Sequence, residues 1–215
     1  MAWTDAIALI AVRARLMQRA SEQQPGGMAA VLGLDEAALA EVCRQVRAEV
    51  PGSFVTIANI NSPGQIVIAG DHPGLARAQE LASARGARRV IPLPVSGAFH
   101  SDAMRSIADR LAERIRAATI RPAAIPLIGN VTATPLTEPD EIRRELAEQV
   151  YSPVRWADCV RTMLAAGVQT FIELGPGQVL AGLIRRIDPS VEVLNVGNAE
   201  EAARVAAELA PRLAR

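Results

Sequence analysis

The chain has 215 residues, half of them hydrophobic, enough to bury a substantial core with neither metal nor disulfide. Its 23 basic and 23 acidic residues cancel, and no basic stripe with interleaved aromatics occurs, which argues against a nucleic-acid partner. No apolar run reaches the roughly 18 to 20 residues of a membrane span, and the N-terminus lacks the basic flank and cleavage site of a signal peptide, so the protein is expected in the cytoplasm.

The first predicted element is a helix over residues 4–19, where Ala6, Leu9, Ile10, Arg13 and Met17 recur at spacings of three and four. Gln24, Pro25, Gly26 and Gly27 end it. There follow a strand (28–34), a helix (35–49), two strands (54–61 and 65–70), a helix (71–85) and a strand (87–95). The order is β-α-β-β-α-β, a ferredoxin-like unit. Asp35 and Asp71 stand where an N-cap side chain accepts a backbone N–H, and Gly86 supplies the left-handed residue that stops the second helix. Beyond Val95, a helix carries Met104, Ile107, Ala108, Leu111 and Ile115 on one stripe, and a buried strand is expected over 125–131. Helices over 139–150 and 153–166, a strand (170–174), a helix (177–187), a strand (191–196) and a helix (199–213) complete the chain. Such alternation predicts a parallel sheet covered on both faces. The expected domains are therefore a small unit, 23–92, inserted into a larger α/β unit formed by 1–22 and 93–215.

Few residues offer chemistry. Cys43 and Cys159 lack metal-ligand spacing, and Cys43 shares an apolar helical stripe with Leu39, Val42, Val46 and Val50, so both read as reduced core residues. His72 sits at an exposed helix start and reads as solvated. His100 ends Val95-Ser96-Gly97-Ala98-Phe99-His100-Ser101, a turn between an apolar strand and an amphipathic helix, where α/β sheets gather ligands and catalytic groups. It can serve as a general base, or merely cap a helix. Arg13 puts a guanidinium on the apolar stripe of its helix, so a carboxylate should meet it, either from an internal Asp or Glu or from an acidic ligand. Two turns, residues 59–65 and 173–177, carry strong Asn, Pro and Gly turn chemistry; the first reads as a hairpin connection, and the second lets a backbone carbonyl approach a neighbouring side chain.

Taken in order, these segments resemble the malonyl-CoA:acyl carrier protein transacylases of fatty-acid and polyketide synthesis. The matching pieces are Arg13-Ala14-Arg15-Leu16-Met17-Gln18, Gly27-Met28-Ala29-Ala30, Asn59-Ile60-Asn61-Ser62-Pro63-Gly64-Gln65 through Gly70, and the segment from Val95 to Ser101. Tyr151-Ser152-Pro153-Val154-Arg155-Trp156 and Glu173-Leu174-Gly175-Pro176-Gly177 complete the set. The resemblance implies an α/β fold, a partial α/β-hydrolase-like parallel-sheet domain with the inserted ferredoxin-like unit. It implies a serine that takes malonyl from malonyl-CoA and passes it to the phosphopantetheine thiol of acyl carrier protein, with no cofactor and no metal. His100 matches the base and Arg13 the residue that grips the malonyl carboxylate. Met17, Asn61 and Phe99 match substrate-binding positions, the Phe99 ring filling space that a 2-methyl branch needs. Glu173 and Leu174 match the turn whose backbone carbonyl orients the imidazole.

The sequence departs from the family in one respect: it contains no Gly-x-Ser-x-Gly elbow, the turn that presents the nucleophile. The matched segments correspond to the C-terminal two-thirds of the family, and the chain alone is expected to be inactive. The alternatives are a non-catalytic module that binds carrier protein or a CoA ester, and a half-enzyme completed by a separate N-terminal polypeptide.

Overall fold

The computed structural model describes residues 1–213. The chain divides into two compact units, Met1–Cys159 and a second beginning at Val160. In the first unit, helix α1 (Trp3–Gln23) precedes β1 (Gly27–Leu32), α2 (Glu36–Glu49), β2 (Val55–Ser62), β3 (Gln65–Gly70), α3 (His72–Ala84) and β4 (Arg89–Pro92). These strands form one antiparallel sheet in the order β2-β3-β1-β4.

Local chemistry accounts for the punctuation. The Asp35 carboxylate accepts the Ala38 N–H at 2.8 Å and the Asp71 carboxylate that of Gly74, also at 2.8 Å, which satisfies one orphan donor at each helix start. Gly86 takes φ +89° after α3, a conformation that would strain any residue with a Cβ. The sheet's two faces follow from period-two alternation. Ala29, Val31, Ile66 and Ile68 pack against α2 and α3 through Leu39, Val42, Val46, Ala78 and Ala82. Met28, Ala30, Val67 and Ala69 face the other way, into a core shared with Leu16, Met17 and Ala20 of α1. Cys43 and Cys159 are buried and free, and burial pushes the Cys43 thiol up to about 11.

That second core ties the sheet to its neighbours within the first unit. The expected division set residues 23–92 apart from 1–22 and 93–215. The first compact unit runs to Cys159, and within it α1, the sheet and the segment after it bury one continuous set of side chains, reaching Met104, Leu111, Ile115, Ile142 and Val150. The helix expected after Val95 begins as a 3-10 helix, Asp102–Ile107, and continues as α4 (Ala108–Ala117), with Met104, Ile107, Leu111 and Ile115 buried.

The strand expected over 125–131 is not a buried one. Strand β5 is only Leu127–Ile128, paired antiparallel with β6 (Pro135–Leu136), and Ile125 is 82% exposed. Pro126 has no N–H to give a ladder, and Gly129 opens the following turn, so the apolar run cannot extend as a central strand. Helix α5 (Pro139–Glu148) closes this region. Helix α6 (Trp156–Ala165) crosses the boundary into the second unit, which holds β7 (Thr170–Leu174), α7 (Val179–Ile187), β8 (Glu192–Val196) and α8 (Ala199–Leu213). The parallel sheet is, among the described residues, the pair β7–β8, in register from Thr170 with Glu192 to Leu174 with Val196. No helix among the described residues is long and apolar enough to cross a membrane.

Candidate active site

Three segments of the first unit converge on one glutamine. The segment Tyr151-Ser152-Pro153-Val154 runs along the outer edge of β2: the Ile60 N–H donates to the Val154 carbonyl at 2.9 Å and the Val154 N–H to that of Ala58 at 2.8 Å. This anchors the end of α5, where Gln149 is the C-cap. The last carbonyls of a helix have no intrahelical partner, and the Gln149 carbonyl uses its freedom to accept from the His100 ring, Nδ1 lying 2.9 Å away. On its other side, the Gln149 side-chain Oε1 accepts from Arg13 Nη2 at 2.8 Å.

The His100 turn is built for position rather than comfort. His100 has φ +57°, in the left-handed region that costs a non-glycine residue roughly 1–2 kcal/mol. Ser101 holds the turn from both sides: its hydroxyl donates to the Ala98 carbonyl at 2.6 Å and accepts the Ala103 N–H at 3.3 Å, starting the 3-10 helix. A Cβ on Gly97 would collide with Ser21 Oγ of α1, so glycine there lets the turn lie against the helix that carries Arg13.

These contacts fix the proton. A carbonyl oxygen only accepts, so Nδ1 carries the hydrogen, and a neutral imidazole then presents a lone pair on Nε2. Burial holds the His100 pKa below its ordinary value; the carbonyls of Gln149 and Ser152 act in the opposite sense, and the Arg13 charge adds to the lowering. The ring is thus a neutral base over a wider range than a solvated histidine. Burial also lowers the Arg13 pKa, and among the described residues no carboxylate pairs with it. The internal ion pair that sequence reasoning left open is not formed. Its remaining N–H donors suit the planar oxygens of a carboxylate.

A chemical-shift titration tests the electrostatics. In the unfolded chain the imidazole titrates near 6.5, and the fold lowers that value. The unfolded state therefore binds more protons in this window, so the His100 contribution to stability is complete above about 6.5 and is lost as pH falls through the folded value. The His100 ring signal, identified by its loss in His100→Gln, is expected to show its midpoint below 6.5. A midpoint at or above it would contradict the buried, neutral ring.

The other predicted residues divide. Phe99 is half-buried beside His100, and Met17 is buried one helical turn after Arg13, both against the shared core. Asn61 is half-buried on β2 and takes no part in the Arg13–Gln149–His100 chain of hydrogen bonds. The carbonyl at the ring nitrogen is that of Gln149, whereas Glu173 and Leu174, expected to orient the ring, lie in the second unit. The Glu173 carboxylate instead serves its own unit, accepting the N–H groups of Leu180 and Ala181 at 3.0 and 2.9 Å and the Asn195 amide at 3.0 Å. A carboxylate at the start of α7 is stabilised by the helix dipole and its unpaired donors.

Sequence reasoning missed Gln149 and Asn130. Gln149 directly precedes Val150 and the matched segment from Tyr151 to Trp156, and that proximity was the only available signal. Asn130 follows Gly129 in a turn; its Oδ1 lies 3.4 Å from Gln149 Nε2, and its carbonyl accepts the Arg155 N–H at 2.9 Å.

The chain is 42% identical over 200 residues to the malonyl CoA-acyl carrier protein transacylase of Bacillus subtilis, a match covering 93% of this chain and 62% of that protein. The crystal structure of an acyl carrier protein S-malonyltransferase from Vibrio cholerae superposes with a TM-score of 0.88 at 40% identity, covering 93% of this chain and 64% of that one. A type II PKS acyl-carrier protein in complex with its malonyl-transacylase matches with a TM-score of 0.87 at 35% identity, covering 92% and 63%. The chain thus spans less than two thirds of the length of these relatives. The acyl transferase domain family matches residues 1–213, and it is to this family that the chain belongs.

Proposed function

We propose that this chain supplies the base and the carboxylate-binding arginine for transfer of malonyl from malonyl-CoA to the phosphopantetheine thiol of an acyl carrier protein, in the cytoplasm and without metal or cofactor. The observation that carries the reading is the Gln149 junction, which brings a neutral, Nδ1-protonated imidazole and a half-buried guanidinium without a carboxylate partner to one residue. His100 Nε2 would take the proton of a serine hydroxyl as its oxygen attacks the malonyl thioester, and return it to the departing CoA sulfur. In the second half the same nitrogen would deprotonate the carrier thiol and reprotonate the serine as the acyl-serine bond breaks. Arg13 would hold the free carboxylate throughout, with Met17, Asn61 and Phe99 shaping the acyl pocket. The ferredoxin-like reading of 23–92 and its insertion into a hydrolase-like domain belong to the same proposal, supported by the β-α-β-β-α-β order and the strand order of its sheet.

The sequence holds no Gly-x-Ser-x-Gly, so the nucleophile in this reading lies on a segment outside these residues, and the chain corresponds to the C-terminal two-thirds of its relatives. A second reading, a half-enzyme whose serine arrives on a separate polypeptide, is favoured by α1, where Trp3, Ile7 and Ile10 form an apolar stripe exposed at 78%, 48% and 65%. Intact-mass measurement after incubation with malonyl-CoA separates the cases. The chain alone is expected to gain no malonyl mass, whereas mixing with a polypeptide carrying the serine elbow is expected to give an adduct on that polypeptide. A malonyl adduct on a serine of this chain alone would overturn the proposal.

A further inference from the structure

We infer that the side chain of Gln149 is a specificity-determining positioning residue: it holds the Arg13 guanidinium at one edge so that the opposite edge is preset for a carboxylate. The inference rests on the malonyl-transfer reading and goes beyond it, because that reading requires only the Gln149 main-chain carbonyl.

The amide has one orientation that satisfies its neighbours. A guanidinium has no acceptor, so Oε1 must face Arg13, where it lies 2.8 Å from Nη2. Nε2 is then turned toward Asn130, whose Oδ1 lies 3.4 Å away. Asn130 is itself fixed: its carbonyl accepts the Arg155 N–H at 2.9 Å, and the next N–H, that of Val131, donates at 2.9 Å to Oε1 of Glu145, a buried residue one turn before Gln149 on α5. Gly129 completes the clamp, since a Cβ there would strike the Glu145 carboxylate and Leu136. The glutamine is thus held by a framework that does not include Arg13.

Neutrality is the second part of the argument. A carboxylate at position 149 would give Arg13 the internal ion pair that the fold avoids, and the guanidinium would be neutralised before any acidic ligand arrived. An amide oxygen takes one of five donors, fixes the plane of the fork and leaves the positive charge uncompensated. Preset geometry removes the rotamer cost of ordering a long side chain on binding.

Calorimetric titration of the chain with malonyl-CoA and with acetyl-CoA, in the unsubstituted protein, Gln149→Met and Gln149→Glu, tests this. The unsubstituted chain is expected to prefer malonyl-CoA. Gln149→Met, which keeps the volume and loses the acceptor, is expected to weaken malonyl-CoA roughly 3- to 10-fold with acetyl-CoA unchanged, and Gln149→Glu to erase the preference. The His100 Nδ1 hydrogen bond should persist in Gln149→Met, because its carbonyl belongs to the main chain, so the ring should still titrate below its ordinary value. A preference that survives Gln149→Glu would overturn this inference alone. Equal losses for both esters in Gln149→Met would make Gln149 merely structural and overturn it too. No preference in the unsubstituted chain would overturn it together with the malonyl reading.

Discussion

His100→Ala, in this chain combined with a segment carrying the serine elbow, is expected to lower kcat for malonyl transfer by roughly 10²- to 10⁴-fold, the contribution of a positioned general base. The loss should fall on kcat with little change in KM, because the imidazole handles the proton and makes no contact with the malonyl carboxylate in the proposed pose. His100→Gln should be no better, since an amide cannot accept and return a proton at neutral pH. The fold should survive either change, because the ring is only half-buried and its removal costs a single side-chain hydrogen bond. Steady-state kinetics with circular dichroism as a control would check this. Retention of more than a tenth of the activity would remove His100 from the proton path.

Arg13→Lys is expected to impair malonyl transfer far more than acetyl transfer. Lysine keeps the charge but loses the planar fork, and losing charge-assisted hydrogen bonds to a carboxylate costs about 1.5–3 kcal/mol, a factor of roughly 10 to 100 in kcat/KM. Acetyl has no carboxylate to lose. Because Arg13 also donates to Gln149, an ammonium would lose the contact that presets the carboxylate-binding edge as well, which adds to the loss for malonyl. Equal losses for the two substrates would show that the guanidinium serves the fold and not the ligand.

Much of this was legible in the sequence because it depends on short-range rules. Asp35 and Asp71 had to cap, since a short carboxylate before an apolar-periodic run has few other uses, and both do. The strand expected from Met28 is present, and the structure covers both its faces with the two cores that flank it. Arg13 was conspicuous as a cation on an apolar stripe, and His100 as an imidazole in a strand-to-helix turn. What their surroundings would be could not be read, because it depends on which distant segments meet. Gln149 lies 136 residues from Arg13 and 49 from His100, and no spacing rule spans such distances. Only tertiary packing decided that a main-chain carbonyl at a helix end, freed by the geometry of helix termination, would accept from the ring. The partners of the sheet's second face were decided the same way. Element order described the four-stranded sheet but not its second face, and the apolar side chains on that face joined α1 to everything up to Cys159.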